Sequence, residues 1–311
     1  MSFQIETAFV KQYSSNVFHL SQQKGSRLAG MVRKESQKSE AAFYDRIGSV
    51  TAQRKVGRHS DTTYQDTPHS RRRVTLEDFF YADLCDKEDK LRMIMDPKSE
   101  YAQAAMWALG RAMDDVIIEA ALGAAYGGKE GGSTVNMANA NKVSCFDGTT
   151  TTGVGLNVKV LRAVKKKFGQ NEVEEGDLYF AVTSEQLDNL LGETEVTSQD
   201  FASVKALVQG DVDTFMGFKF VRIERLKVTS AATTYNVTNG IVGSGTGTLP
   251  AGARRCFAWK RDGIMLSVAE DVKARIDELP GKHYAYQIYA SMGIGATRME
   301  EVKVVEVLCN E

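Results

Sequence analysis

The chain has 311 residues, 42% of them hydrophobic, so it can bury a sizeable core as one large or two modest domains. Its 39 lysines and arginines nearly cancel 40 aspartates and glutamates, leaving a net charge of -1. That balance gives no whole-chain reason to expect a dedicated nucleic-acid binder and shifts attention to local charge. Cys85, Cys145, Cys256 and Cys309 are far apart, without a Cys-x-x-Cys pair or a histidine at zinc-ligand spacing, and are expected to be free thiols in a reducing compartment. No apolar run reaches the roughly 20 residues that span a bilayer, and the start lacks a basic segment followed by an apolar one, so neither a membrane nor a secreted protein is expected.

Residues 1–45 carry only scattered apolar positions and read as an arm laid over other structure. Residues 51–73, TAQRKVGRHSDTTYQDTPHSRRR, hold six basic against two acidic side chains. Residues 77–89, EDFFYADLCDKED, hold six acidic against one basic. A long polar stretch beside such a sign reversal predicts a projecting loop or hairpin.

Residues 96–128 predict one long helix. Asp96 can cap it, Pro97 suits its first turn and Gly127-Gly128 is expected to stop it. The expected apolar stripe is Tyr101, Ala105, Leu109, Ala112, Val116 and Ala120, with Arg111, Asp114, Asp115 and Glu119 to one side. After a Gly-, Asn- and Thr-rich stretch, NVKVLRAVKKKFG predicts a helix that buries Val160, Leu161, Val164 and Phe168, and Gly169 ends it. DLYFAV predicts a buried strand, and Thr183 with Gln186 is a capping signature for the helix SEQLDNLLG. SQDFASVKALVQG, residues 198–210, predicts another helix.

The glycines of VQGDVDTFMGFKFVRIERL, residues 208–226, raise the question of a phosphate-binding loop. Such a loop follows a strand and leads into a helix, whereas here the order is helix, Gly210, turn, Gly217, strand, so the segment reads as a structural joint. The cluster GIVGSGTGTLPAG, residues 240–252, reads as a flexible loop. Beyond it, RRCFAWKRDGIMLSV predicts a hairpin around Asp262-Gly263, and KHYAYQIYASMG and MEEVKVVEVLC predict two strands, the last closing an earlier layer.

Convergent catalytic groups are missing from the pattern. His19, His59, His69 and His283 belong to no nucleophile, metal or Cys-His arrangement and read as surface or packing residues. Asp114, Asp115 and Glu119 share enough of a helix face to suggest a metal site, but a solvated or interface stripe is the stronger reading. Arg71, Arg72 and Arg73, without interleaved aromatics, favour a charged surface contact over nucleic-acid stacking. Neither a catalytic residue, a cofactor nor a metal is expected.

The order of parts is more specific than any one motif. A loose arm, a long charged loop, DPKSEYAQAAMWALGRAMDDVIIEAALGAAYGG as a spine-like helix, an α/β region with ALVQGDVDTFMGFKFVRIERL, and the C-terminal YQIYASMGIGATRMEEVKVVEVL together resemble a major capsid protein of tailed bacteriophages with the α+β Hong Kong 97-type fold. The resemblance implies an N-terminal arm over residues 1–45, an extended E-loop over 46–95, and the spine helix with the first part of the peripheral (P) domain over 96–155. It implies an axial (A) domain over 156–280 and return strands of the P-domain over 281–311. It further implies a homo-oligomer of pentamers and hexamers forming an icosahedral shell in the virion. Assembly would take place in the host bacterial cytoplasm with a separate scaffolding protein, a portal and possibly a decoration protein, around packaged double-stranded DNA contacted non-specifically. An encapsulin-type shell and an unrecognised cytoplasmic α/β enzyme are the alternatives. If residues 51–73 project onto a neighbour, their net charge of plus four calls for acidic partners there. Arg71, Arg72 and Arg73 would then meet Asp114, Asp115 and Glu119 of the next subunit, or the acidic run 77–89, unless they face the genome.

Overall fold

Alternating and apolar runs give this chain its strands, and the computed structural model describes residues 20–55, 57–58, 61–86, 98–145, 154–192, 214–230, 233–236, 246–249 and 252–311. In chain order the elements are β1 (Arg33–Ser36), β2 (Ala41–Ile47), β3 (His69–Thr75), β4 (Glu77–Cys85), helix α1 (Lys98–Leu122), β5 (Ala125–Gly127), β6 (Ser133–Val135) and β7 (Lys142–Ser144). There follow α2 (Val158–Gln170), β8 (Leu178–Val182), α3 (Ser184–Leu191), β9 (Thr214–Phe215), β10 (Phe218–Arg222), β11 (Thr233–Asn236), β12 (Thr246–Leu249) and β13 (Arg254–Lys260). The chain closes with β14 (Ile264–Leu279), β15 (Ala285–Arg298) and β16 (Val304–Cys309). The architecture is mixed α+β.

The main core lies around a six-stranded sheet ordered β7-β16-β13-β8-β10-β9. All five residues of the apolar β8 are buried, as a central strand requires, and so are all six of β16, whose one charged residue, Glu306, is met by Arg255 at 2.6 Å. Phe180 stands edge-on to Phe218 with ring centroids 5.8 Å apart, Phe257 packs on Trp259 at 4.8 Å, and the Trp259 indole N–H donates to the Met31 carbonyl at 3.0 Å. Helix α2 buries Val160, Leu161, Val164 and Phe168 as expected and is capped by Asn157, whose side chain accepts from the Val160 N–H. The Thr183 side chain caps α3 in the same way. The Met216-Gly217 joint is a two-residue hairpin turn between β9 and β10, with φ of 53° and 88°, and it leads into a strand.

Four expectations are corrected. Helix α1 stops at Leu122, not at Gly127-Gly128, because Ala125–Gly127 is drawn into strand pairing with Arg72 and Arg73. Its buried stripe keeps Ala105, Leu109 and Ala120 but runs through Met113, Ile117 and Ile118, whose larger side chains displace Ala112 and Val116 from the inner face. Asp262-Gly263 is not a hairpin tip: β13 pairs with β16 and β8, while β14 lies between β1 and β15, so the turn passes the chain from one sheet to another. Within the glycine-rich stretch 240–252, β12 pairs antiparallel with β11. The remainder of that stretch apart from Gly252, the helix expected over 198–210, the caps Asp96 and Pro97, and His19 and His59 lie outside the described residues.

The chain divides into two units: residues 1–26, 78–112 and 270–292 form one, and residues 27–77, 113–269 and 293–311 the other. In the first, Gly110 lets the strap at Gly25 approach so closely that a Cβ would lie 2.6 Å from the Gly25 Cα, and Arg111 donates to Gln22 and to the Gln23 carbonyl. In the second, the last strand β16 sits inside the sheet that contains β8 and β13. Gly295 of β15 is placed so that a Cβ would lie 2.2 Å from the Thr75 carbonyl oxygen. Gly295→Ala is therefore expected to cost about 1–3 kcal/mol of overpacking strain, read as a lower urea midpoint of the unassembled protein.

Candidate functional site

Strand β2 pairs antiparallel with β3 from Ala41 opposite Thr75 to Ile47 opposite His69, and residues 48–68 connect them. The expected hairpin is present, and its first strand starts at Ala41. The three arginines do not form one patch, because successive strand residues face opposite ways. Arg72 is 2% exposed, whereas Arg71 and Arg73 turn to the other face. Arg71 is paired across the strands with Asp45 at 2.6 Å and lies over the Phe43 ring. Its guanidinium hydrogen bond holds the Asp45 carboxyl below the usual carboxylate range. The Arg73 side chain covers Gly131, where a Cβ would come within 2.3 Å of its Cδ.

Arg72 enters a partly buried node around Glu301, whose side chain is 23% exposed. It donates to the Glu301 carboxylate, and Arg46 and Arg298 approach the same carboxylate at 3.8 Å and 3.9 Å. Arg298 is fully buried and donates to the carbonyls of Ala121 at 2.9 Å and Gly123 at 2.8 Å, the free end of α1, and to the Val135 carbonyl at 3.1 Å. Arg46 also donates to the Met299 carbonyl. Burial pulls the Arg72 and Arg298 guanidiniums below the ordinary arginine range, and the Glu301 charge counters that in both. One carboxylate thus joins the hairpin, the end of α1 and the turn before β16.

The acidic residues of α1 are likewise engaged within their own chain. Asp114 is fully buried and accepts from the backbone N–H groups of Arg27 and Leu28 at 3.0 Å each. Asp115 and Glu119, four residues apart on the exposed side, pair with Arg225 and Lys227, the Arg225 Nε standing 2.9 Å from Asp115. Of the six residues expected at a subunit contact, Arg72 and Asp114 are buried within their own chain, each on the inward period of its strand or helix. Arg71, Arg73, Asp115 and Glu119 keep some exposure.

Other sequence candidates stay apart. His69 and His283 are exposed. All four cysteines are buried and none forms a disulfide, and the sulfurs of Cys145, directly after β7, and Cys309, in β16, are 3.2 Å apart. Among the described residues, no group of three or more His, Cys, Asp or Glu side chains has a geometry that could hold a metal ion, and no helix is long and apolar enough to cross a membrane. Sequence reasoning missed Arg46, Arg298 and Glu301. The available signal was a charged Arg-x-Glu-Glu in the short break between two strands that are apolar on both faces.

A family model described as phage capsid protein matches residues 5–311. Among solved structures, the capsid of cyanophage P-SCSP1u matches with TM-score 0.73 at 15% identity, covering 100% of this chain and 96% of that one. The capsid of Ralstonia phage GP4 matches with TM-score 0.72 at 9% identity, covering 100% and 98%. The capsid of cyanophage Pam1 matches with TM-score 0.69 at 15% identity, covering 99% and 98%. Curated protein sequences yield no match to this chain.

Removing the central charge of the node should be costly, because Glu301→Gln leaves buried guanidiniums without their counter-charge. A loss of about 3–5 kcal/mol is expected in urea unfolding of the unassembled subunit. Asp45→Asn, which breaks only an exposed pair, should leave the midpoint nearly unmoved.

Proposed function

The chain belongs to the phage capsid protein family, and from that membership we infer that it is the major capsid protein of a tailed phage, with the mixed α+β Hong Kong 97-type fold. The supporting observation is the family match over residues 5–311, reinforced by a shared fold along the full chain. In this reading the subunit is non-enzymatic and closes as pentamers and hexamers into an icosahedral shell around double-stranded DNA. A separate scaffolding protein, a portal and, where present, a decoration protein assist it in the host cytoplasm. The hairpin β2-β3 with its connection acts as the E-loop, α1 as the spine helix, the six-stranded sheet with α2 and α3 as the A-domain, and residues 20–26 belong to the N-terminal arm.

The subunit contact we assign is between the basic E-loop connection of one copy and the acidic strand β4 of the next. Two sets of unmatched charges support this. Arg54, Lys55 and Arg58 are exposed and enter no ion pair among the described residues, and the same holds for the exposed Glu77 and Asp78. Apolar groups accompany both sets: Ile47, Val50 and Tyr64 on the loop, and Phe80 and Leu84 on β4, are exposed. Asp115 and Glu119, already engaged with Arg225 and Lys227, are weaker acceptors. Each exposed pair contributes only about 0–1 kcal/mol, so the charges set register, and repetition over the shell supplies the stability.

Sedimentation and electron microscopy of the protein expressed with its scaffold should show closed shells. Arg54→Glu with Lys55→Glu and Arg58→Glu should leave soluble subunits that fail to close, and adding Glu77→Lys with Asp78→Lys should restore part of the shell yield. Normal shells from the triple variant would overturn the contact. A wild-type protein that stays a monomer or dimer under these conditions would overturn the capsid reading itself.

A further inference from the structure

Helix α2 carries a second unmatched charge, all of one sign. Its thirteen residues include Lys159, Arg162, Lys165, Lys166 and Lys167 and no acidic side chain. Lys159, Arg162 and Lys166 are exposed, Lys165 and Lys167 half-buried, and none of the five enters an ion pair among the described residues. The nearest acidic stretch, just past the helix, is partly committed elsewhere: Glu174 pairs with Lys260 at 2.8 Å and Asp177 with Lys219 at 3.4 Å. The opposite face of the helix is locked into the core by Val160, Leu161, Val164 and Phe168, with Phe168 against Phe218 at 6.1 Å, so the cations stand on a rigid, capped support.

We propose that this face of α2 binds the sugar-phosphate backbone of duplex DNA, without sequence preference, as the surface through which the shell subunit holds its packaged genome. The inference rests on the capsid reading and adds the residues and the ligand chemistry. A protein partner is the poorer fit. Specific protein interfaces centre on apolar and aromatic side chains. The exposed positions of α2 are Lys159, Arg162, Lys166, Gly169 and Gln170, with no apolar residue among them. Interfaces with DNA are polar and strongly positive, which describes this face. Lys159 and Lys166 are separated by two turns, roughly 10 Å, a span that covers about three phosphates of one DNA strand. Lysines predominate on this face and act on phosphates as point charges, so contact with the backbone carries no sequence information.

The test uses the full-length unassembled protein and a short fluorescein-labelled duplex of mixed sequence, titrated at several salt concentrations. Replacing Lys159, Arg162 and Lys166 by glutamine should flatten the slope of log affinity against log salt by about 2 to 3 and weaken binding on the order of 100-fold near 0.1 M salt. Lys34→Gln with Lys38→Gln and Lys129→Gln, three exposed lysines outside α2 and outside the proposed subunit contact, serves as the control and should leave the slope unchanged. All three substituted α2 positions are exposed, so the variant should keep the wild-type unfolding midpoint. Equal slopes for the α2 variant and wild type, or equal losses from both triple variants, would overturn the assignment. Binding of polyglutamate as tightly as duplex DNA, lost in the same α2 variant, would also overturn it and indicate an acidic protein partner. Failure of this proposal is distinguishable from failure of the capsid reading, since shell formation is scored separately by electron microscopy.

Discussion

The arrangement around Glu301 ties together three separate parts of the larger unit. A helix ends with carbonyls that have no partner of their own, and α1 ends inside the protein where water is scarce. Arg298 supplies donors to the Ala121 and Gly123 carbonyls, but a buried guanidinium is itself unfavourable unless its charge is met. Glu301 meets it, and in doing so also meets Arg72 from β3 and Arg46 from β2. The hairpin base and the end of the spine helix are therefore tied by one shared charge, and neither can be moved without exposing or stranding the other's partner.

That tie gives a physical reason for the contrast along residues 41–75. At Arg72 the strand is fixed to the protein interior, while the connection carries the exposed cations Arg54, Lys55 and Arg58, which enter no ion pair among the described residues, and the exposed apolar side chains of Val50 and Tyr64. A base held rigidly and a connection left unmatched is the combination needed by a segment that must reach a neighbouring copy at a set angle. The surface charges divide in two: Asp115 is paired with Arg225 inside the subunit, whereas the exposed charges of the hairpin connection, β4 and α2 named above enter no ion pair among the described residues.

Much of the fold was legible because its signals are local. A continuous apolar run announced β8, apolar residues on both faces announced β16, and the caps Asn157 and Thr183 sit where polar residues precede amphipathic runs. The order of a strand after Gly217 was enough to reject a phosphate loop. Sheet membership was not legible, since β13 and β14 are adjacent in sequence yet pair with different strands. The end of α1 was misplaced because Gly127 signalled a stop, whereas pairing of Ala125–Gly127 with β3 ended the helix earlier. At the site, the sequence showed which segments are charged but not which way each side chain points. A run of three arginines looks like one patch until strand alternation sends Arg72 inward, and Asp114 next to Asp115 looks like one stripe until helical rotation buries the first. Glu301 joins residues more than 200 positions away, a relation that no local pattern carries.

The claim that one carboxylate couples the hairpin to the spine helix is tested most directly by native-state amide hydrogen exchange on wild-type protein and on Arg298→Met. If the coupling is real, exchange should accelerate together in the last turn of α1, in β2-β3 and in the turn at 299–303, while β8 and β13 keep wild-type protection. Acceleration confined to residues next to position 298, with β2-β3 unchanged, would contradict it.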